Sequence, residues 1–311
     1  MRFMTFLQAS HETASQAAEG AHQAAAAGGQ EAMSVSDMFK HLFAHVQDSR
    51  ELELPFVGHV HLPHFAPIQL GTFTLDISIT KHVVFLWIAA TLLIILMTIA
   101  ARQNKRHRVP KGWGNVVEVF IAFIRDEIVL PNMGPGGLRY MPYVLTTFFF
   151  ILIMNLLGLV PYGSSATGNI SVTAGLAAIA FVMIQLAAIR AQGLGHYLAH
   201  LTGGVPMFLW PIMIPIEILG LFTKPFALCV RLFANMTGGH LVIISLFGLI
   251  FLFKSWPIGI TTAAFVVAIN FLELFVAFLQ AYVFTMLTCI FMGFGIQAGK
   301  AAHAASNEQG H

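Results

Sequence analysis

From Tyr140 to Ile189 the chain runs for fifty residues without a single Lys, Arg, Asp or Glu. An ordinary soluble domain is about 25% charged, so a segment like this would leave a water-borne fold with large apolar patches. The whole chain has the same bias: 57% of its 311 residues are hydrophobic and 10% are charged. Its solvent is therefore expected to be a lipid bilayer. About 20 helical residues cross the ~30 Å hydrocarbon core, so the segment is too long for one crossing. Pro161, Gly163, Ser164, Ser165, Gly168 and Asn169 mark a turn in its middle. The pattern predicts a hairpin of two spans, 140–160 and 170–189, that returns to Arg190.

Three further apolar runs flank this hairpin. Residues 83–101 form an uncharged stretch of one-span length, followed at once by Arg102, Lys105, Arg106, Arg108 and Lys111. Such a short basic loop belongs on the cytoplasmic side, which puts the N-terminal segment outside and the C-terminus inside. Residues 206–250 and 257–297 are each about twice as long as the bilayer core requires. They must tilt steeply, bend or lie partly along the membrane, and Pro211, Pro215 and Pro225 give the first of them places to bend. Residues 113–130 carry Glu118, Arg125, Asp126 and Glu127 on an otherwise apolar segment, as an interfacial amphipathic helix does. The chain is expected to break after it, at Pro131, Gly134, Pro135, Gly136 and Gly137.

The fold class expected is an all-α membrane protein. It has about five crossing helices and one interfacial helix, and the last two crossings are long and steeply tilted. The divisions are an extramembrane extension over 1–75, a membrane domain over 76–299 and a cytoplasmic tail over 300–311. Residues 1–33 have the Ala-, Gln-, Gly- and His-rich composition of a tail. Ser36 is placed to cap a short helix through Gln47, and residues 72–79 alternate apolar with polar as a half-buried strand does. The apolar run in Met1–Leu7 is shorter than the 7–15 residues of a secretory signal. Cys229 and Cys289 both lie in apolar stretches and read as small buried hydrophobes. His59, His61 and His64 have no acidic or Cys neighbour and read as a solvated loop, so no metal site is expected. A formal charge of +2 is near neutral and argues against nucleic acid as a partner, and no Gly-rich phosphate-binding Lys motif is present.

Function is expected where charge stands in spite of its cost. Between Tyr140 and Gly299 the charged residues are Arg190, Glu217, Lys224, Arg231, Lys254 and Glu273. Arg190 and Lys254 lie at segment ends and can snorkel. The other four lie inside the two long runs, where a charge costs about 2.5–3.5 kcal/mol even on the mildest scale. Glu217, Lys224 and Arg231 are spaced by seven, and Asn235 follows four later, which makes one polar stripe on a helix. Asn270, Glu273 and Gln280 share one face of the last helix. Arginine does not deprotonate, so Arg231 can serve only as a fixed cation that favours the ionised form of a nearby carboxylate. His240 and Glu273 can exchange protons, while Asn235 and Gln280 can orient water. The plainer readings are an Arg231 pair with Glu273 or Glu217, a Lys224 that snorkels or pairs with Glu217, and interhelical hydrogen bonds for the amides and His240.

The string Lys224-Pro225-Phe226-Ala227-Leu228-Cys229-Val230-Arg231-Leu232-Phe233-Ala234-Asn235-Met236 resembles the signature of the subunit a family of F-type ATP synthases. Leu279 to Thr288 resembles that family's last helix, and Asn155 to Pro161 its second span; together the likeness covers roughly 76–298. It implies two long helices packed on a ring of c subunits in a bacterial inner membrane, with a b-type peripheral stalk and a soluble ATPase sector in the same complex. It implies that Arg231 faces the ring's ion-carrying carboxylate between two aqueous half-channels. His240 and Glu273 match two positions of the outer half-channel, with acid and imidazole exchanged relative to some bacterial members. Glu217, Asn235 and Gln280 match further path positions, and Asn155, Asn270 and Lys224 are supporting candidates. Gly158 stands where some bacterial members carry Asp. No cofactor is implied, and ATP chemistry would sit on partner subunits. The competing classes are a stand-alone channel or transporter, which should show a repeat or a broken-helix site, and a bare anchor, which has no use for buried charge.

Overall fold

The computed structural model describes residues 51–54, 58–61, 68–70, 73–75, 80–106, 112–160, 165–201, 207–253 and 256–308. The helix expected over Ser36–Gln47 lies outside them, as do His64, Thr72 and residues 76–79 of the expected strand.

Two small antiparallel hairpins precede the first crossing, so the chain is not wholly helical. β1 (Glu51–Leu54) pairs with β2 (Gly58–His61), and β3 (Ile68–Leu70) pairs with β4 (Phe73–Leu75). The alternating segment thus contributes β4. His59 and His61 both lie on β2.

α1 (Lys81–Arg106) follows, then α2 (Trp113–Phe123). Their junction is tied at two points. Gly114 N–H donates to Gln103 Oε1 at 3.0 Å, and Asn104 Nδ2 donates to Glu118 Oε2 at 3.3 Å. α2 passes into a π-helical turn at Ile124–Val129 and a short α3 at Leu130–Met133. The wider turn takes in one extra residue. Val117, Ile124, Ile128 and Val129 face inward while Glu118, Arg125, Asp126 and Glu127 stay exposed, so the segment is amphipathic as expected. Arg125 and Asp126 pair at 2.8 Å. The hydrogen bond from Arg125 holds the Asp126 carboxyl below its ordinary range, but an exposed pair of this kind stabilises little. The helical path does not break at Pro131, which sits in the first turn of α3 where its missing N–H costs nothing. The break comes at Gly134, whose φ of 67° suits glycine.

A 3₁₀ turn (Pro135–Tyr140) leads into α4 (Met141–Gly158). A second 3₁₀ turn (Ala166–Gly168) precedes α5 (Ile170–Gln192), whose start is capped by Asn169 Oδ1 accepting from Ser171 N–H at 2.8 Å. α6 (Leu194–Leu201) is short. Then come the two long helices, α7 (Trp210–Phe253, 44 residues) and α8 (Trp256–Glu308, 53 residues). At ~1.5 Å per residue they rise about 66 Å and about 80 Å. Pro215 and Pro225 are taken up inside one continuous α7, with no interruption of its helical path. Five helices are long and apolar enough to cross a membrane: Lys81–Asn104, Pro135–Gly158, Ile170–Gln192, Trp210–Ile250 and Trp256–Gly299.

α8 packs on α5, α4 and α7, while α5 also meets α7 and α1 meets α4. Phe148, Ile151, Met154, Leu228, Leu232, Phe284 and Met292 are wholly buried between them. Rings of Phe120, Phe148, Phe149 and Phe278 lie 5.3–6.1 Å apart in tilted and edge-on pairs, each such pair adding about 0.5–1.5 kcal/mol beyond area burial. At Gly295, α8 comes so close to Ala188 of α5 that a Cβ would overlap it. Small residues allow such approach where dispersion, not water exclusion, holds helices together.

Candidate functional site

α7 and α8 bring some of their polar residues together in a narrow cleft. It is lined by Asn235, Leu232 and Met236 of α7, Glu273, Val276, Ala277 and Gln280 of α8, and Asn155 of α4. Asn235 Nδ2 donates to Gln280 Oε1 at 2.7 Å, which ties the two long helices together. Among the described residues, Gln280 Nε2 is buried without a hydrogen-bond partner, and so is Thr237 Oγ1 on α7. The cleft encloses about 20 Å³ of space that water can occupy, about the need of a single molecule. Bridging water is the ordinary solution for such atoms.

Glu273 reaches across to α7 beside His240. A Cβ on Gly239 would collide with its carboxylate, so the acid occupies the space a side chain at 239 would fill. His240 is half-buried next door. Among the described residues no hydrogen bond or ion pair joins the two. They are brought to the same level without being locked.

Arg231 is placed quite differently. It lies near the midpoint of α7, on the exposed side, and among the described residues no ion pair or hydrogen bond holds it. Its surroundings are apolar: Phe226, Ala227, Val230 and Ala234 are exposed with it. The plainer reading, a pair with Glu273 or Glu217, is therefore not what the structure has. Glu217 lies near Tyr197 of α6. Burial and then the Glu217 charge push that phenol up, and its hydroxyl donates to Gln185 Oε1 at 2.6 Å. Lys224 does not pair with Glu217 either; its Nζ sits 5.2 Å from the ring centre of Phe291, a cation–π placement. The stripe of charges read from heptad spacing thus resolves into three separate environments. Asn270 is exposed and donates to Val266 O of its own helix, outside the cleft.

Asn155 ties the cleft to the loop between α4 and α5. Its Nδ2 donates to Ala277 O at 3.2 Å, and its Oδ1 accepts from Thr167 Oγ1 at 2.8 Å. Thr167 and Ser165 hydroxyls are 2.7 Å apart, and Ser165 O accepts from His82 Nδ1 at 3.0 Å. All four side chains are at most 4% exposed. Sequence reading passed over Ser165, Thr167 and His82. The first two sat in a stretch scored only as a turn, and the sole signal for His82 was an ionisable residue at the head of an apolar run. Gly158 packs against this layer, where an added Cβ would overlap Met236 and Ser165. The second span has no room for an acid at that position. Among the described residues no group of His, Cys, Asp and Glu could hold a metal.

Comparison with known proteins covers most of the chain. Residues 83–293 match the family model described as ATP synthase A chain. The chain belongs to that family. It is 51% identical over 270 residues to ATP synthase subunit a of Chloroherpeton thalassium, covering 86% of this chain and 78% of that one. It is 48% identical over 299 residues to ATP synthase subunit a 2 of Chlorobaculum tepidum, with 95% and 82% covered. It is 54% identical over 227 residues to ATP synthase subunit a of Myxococcus xanthus, with 72% and 75% covered. As a member of the ATP synthase A chain family, this multi-pass chain is a membrane component of the synthase and not itself the catalytic enzyme. The matched region takes in all of α7, α8 as far as Gly293 and the cleft between them.

Proposed function

We propose that this chain is the stator subunit that passes protons to and from a rotating ring of c subunits through two aqueous half-channels. The observation that carries the proposal is Arg231: a permanent cation at mid-helix, exposed among apolar residues, with no partner among the described residues. In lipid alone such a charge is costly. A carboxylate on a neighbouring subunit removes the cost, and the cation in turn keeps that carboxylate ionised as it passes. Because arginine cannot relay, it also blocks a straight leak between the two sides.

The outer half-channel is assigned to the cleft. His240 and Glu273 take up protons there, and Asn235, Gln280 and Asn155 order water along it. A neutralised ring carboxylate then tolerates lipid and turns away. After nearly a full turn it releases its proton toward the cytoplasm on the side where Glu217 lies. The driving term is about 2.3 kcal/mol per charge per 100 mV, added to the pH gradient. The reading places the chain in a bacterial inner membrane, N-terminus outside and C-terminus cytoplasmic. A b-type peripheral stalk holds it against the ring and the soluble ATPase sector, which performs the ATP chemistry.

The deciding experiment is Arg231→Ala in the assembled complex. Proton-driven ATP synthesis in vesicles is expected to vanish while ATP hydrolysis by the soluble sector persists. Coupled synthesis at the normal rate would remove the basis of the reading.

A further inference from the structure

We propose that Tyr197 of α6, bonded to Gln185 of α5, is a positioning residue of the cytoplasmic exit that holds water beside Glu217; this rests on the reading above. The packing of α5 on α7 fixes where the pair stands. Phe181 of α5 stacks on Phe222 of α7 with ring centroids 5.6 Å apart, and Thr173 Oγ1 lies 3.4 Å from Cys229 Sγ. Both pairs fit one antiparallel register. One turn beyond Phe181, that register brings Gln185 level with Ile218, next to Glu217. α6 then supplies the tyrosine. Gly193 turns the chain with a φ of 78°, and its carbonyl accepts from Tyr197 N–H at 3.0 Å. The fold-back lets Tyr197 Oη donate to Gln185 Oε1 at 2.6 Å. Glu217 is close enough for its charge to act on the phenol. All three side chains are half-buried.

The bond decides what each group is left to do. Burial, and then the Glu217 charge, push the phenol above its ordinary range, so Tyr197 keeps its hydrogen at working pH and is not itself a proton carrier. That hydrogen is committed to Gln185. Among the described residues no other hydrogen bond engages either side chain. The phenol oxygen is left as an acceptor and the amide nitrogen as a donor, the two halves of a water site. The other charges nearby are turned elsewhere: Lys224, the next along α7, sits over the Phe291 ring, and Arg190 and His196 are exposed. In the step, a proton released by the c-ring carboxylate is taken up by the Glu217 carboxylate. It then leaves that carboxyl group for the water held by the phenol oxygen and the amide, and passes from there to the cytoplasm.

The test removes one oxygen: Tyr197→Phe keeps the aromatic ring and loses the hydroxyl. Complexes co-purified with the c ring are reconstituted and stripped of the soluble sector. Passive proton flow per assembled complex is then followed while the pH is varied on one side at a time. Flow toward the cytoplasm is expected to fall several-fold. Its pH profile on the cytoplasmic side is expected to move to higher pH, because release then needs a stronger sink, while the outer-side profile stays in place. A fall with both profiles unmoved would make the bond a structural tie and overturn the proposal, as would wild-type flow or a shift on the outer side alone. Gln185→Leu, scored the same way, breaks the bond from the other partner should Tyr197→Phe assemble poorly, and the same shift is expected of it. Arg231→Ala, scored for coupled synthesis before stripping, tests the underlying reading separately, because that reading can stand whether or not Tyr197 orders water.

Discussion

At the scale of single residues, the proposed path separates a charge that must stay from charges that must move. Arg231 is fixed by its chemistry, and nothing described within the chain neutralises it. The Glu273 carboxylate lies against Gly239, the neighbour of His240 in sequence, and among the described residues no hydrogen bond or ion pair joins Glu273 to His240. If acid and imidazole act as a facing pair, it matters little which helix carries which. The double exchange His240→Glu with Glu273→His is then expected to retain more proton-driven ATP synthesis than either single change. A double variant no better than the worse single would argue that the two act independently. Arg231, His240, Glu273, Asn235 and Gln280 stand out in the sequence as candidates because a polar group inside an apolar run is costly and therefore conspicuous; that Asn235 bonds Gln280 is seen only in the structure. Lys224 was legible as a charge but not in its partner, since nothing in a heptad of charges points to Phe291 on another helix. The Ser165–Thr167–Asn155 layer was hidden for a different reason. It joins residues distant in sequence, and two of its members stood in a turn where hydroxyls are unremarkable.

At the scale of elements, the site depends on how closely α7 approaches α4 and α8. Gly158 and Gly239 mark two such approaches with opposite consequences. A methyl at 158 meets Met236 and the side chain of Ser165 in a filled interior. Gly158→Ala is expected to lower stability by about 1–3 kcal/mol, as overpacking does, read as a lower midpoint when the assembled complex is heated in mild detergent. A methyl at 239 meets the end of a flexible side chain, the Glu273 carboxylate. Gly239→Ala is therefore expected to leave that midpoint nearly unchanged while cutting proton flow, because the acid is moved from beside His240. Equal stability losses in the two would contradict this distinction. The five crossings could be counted from hydropathy because hydrocarbon demands continuous apolar length. Their ends could not, since α1 and α8 continue as helix into polar sequence at Arg106 and Glu308. The prolines of α7 do not end it: a proline removes one hydrogen bond, and the helix continues through Pro215 and Pro225.

At the scale of the whole molecule, the two long helices are unevenly finished. The most apolar stretches of α7 and α8 are only 11% and 17% buried within the chain, no more than the 17% of the first span and far less than the 50% of the span that contains α4. Phe226, Phe271 and Phe275 stand 61–70% exposed on them. If a ring covers this face, Cys introduced at Phe226 or Phe271 is expected to react with a membrane-permeant maleimide in the free subunit and to be protected in the assembled complex. A Cys at Ile94 of α1, which is 66% exposed on the far smaller first span, serves as the lipid-facing comparison. Protection at Ile94 but not at Phe226 would place the partner on the wrong side.

Arg231, exposed on α7 beside apolar neighbours of its own helix, also bears on how the subunit is made. Until a carboxylate arrives, a newly inserted chain holds an unneutralised guanidinium against acyl chains or drags water toward it, thinning the membrane locally. That defect is a mark by which membrane proteases can distinguish an orphan from a finished assembly. Cells lacking the ring should then clear this polypeptide quickly, and its half-life should lengthen once the orphan's charge is removed, as in Arg231→Leu, a variant expected to support no proton-driven ATP synthesis.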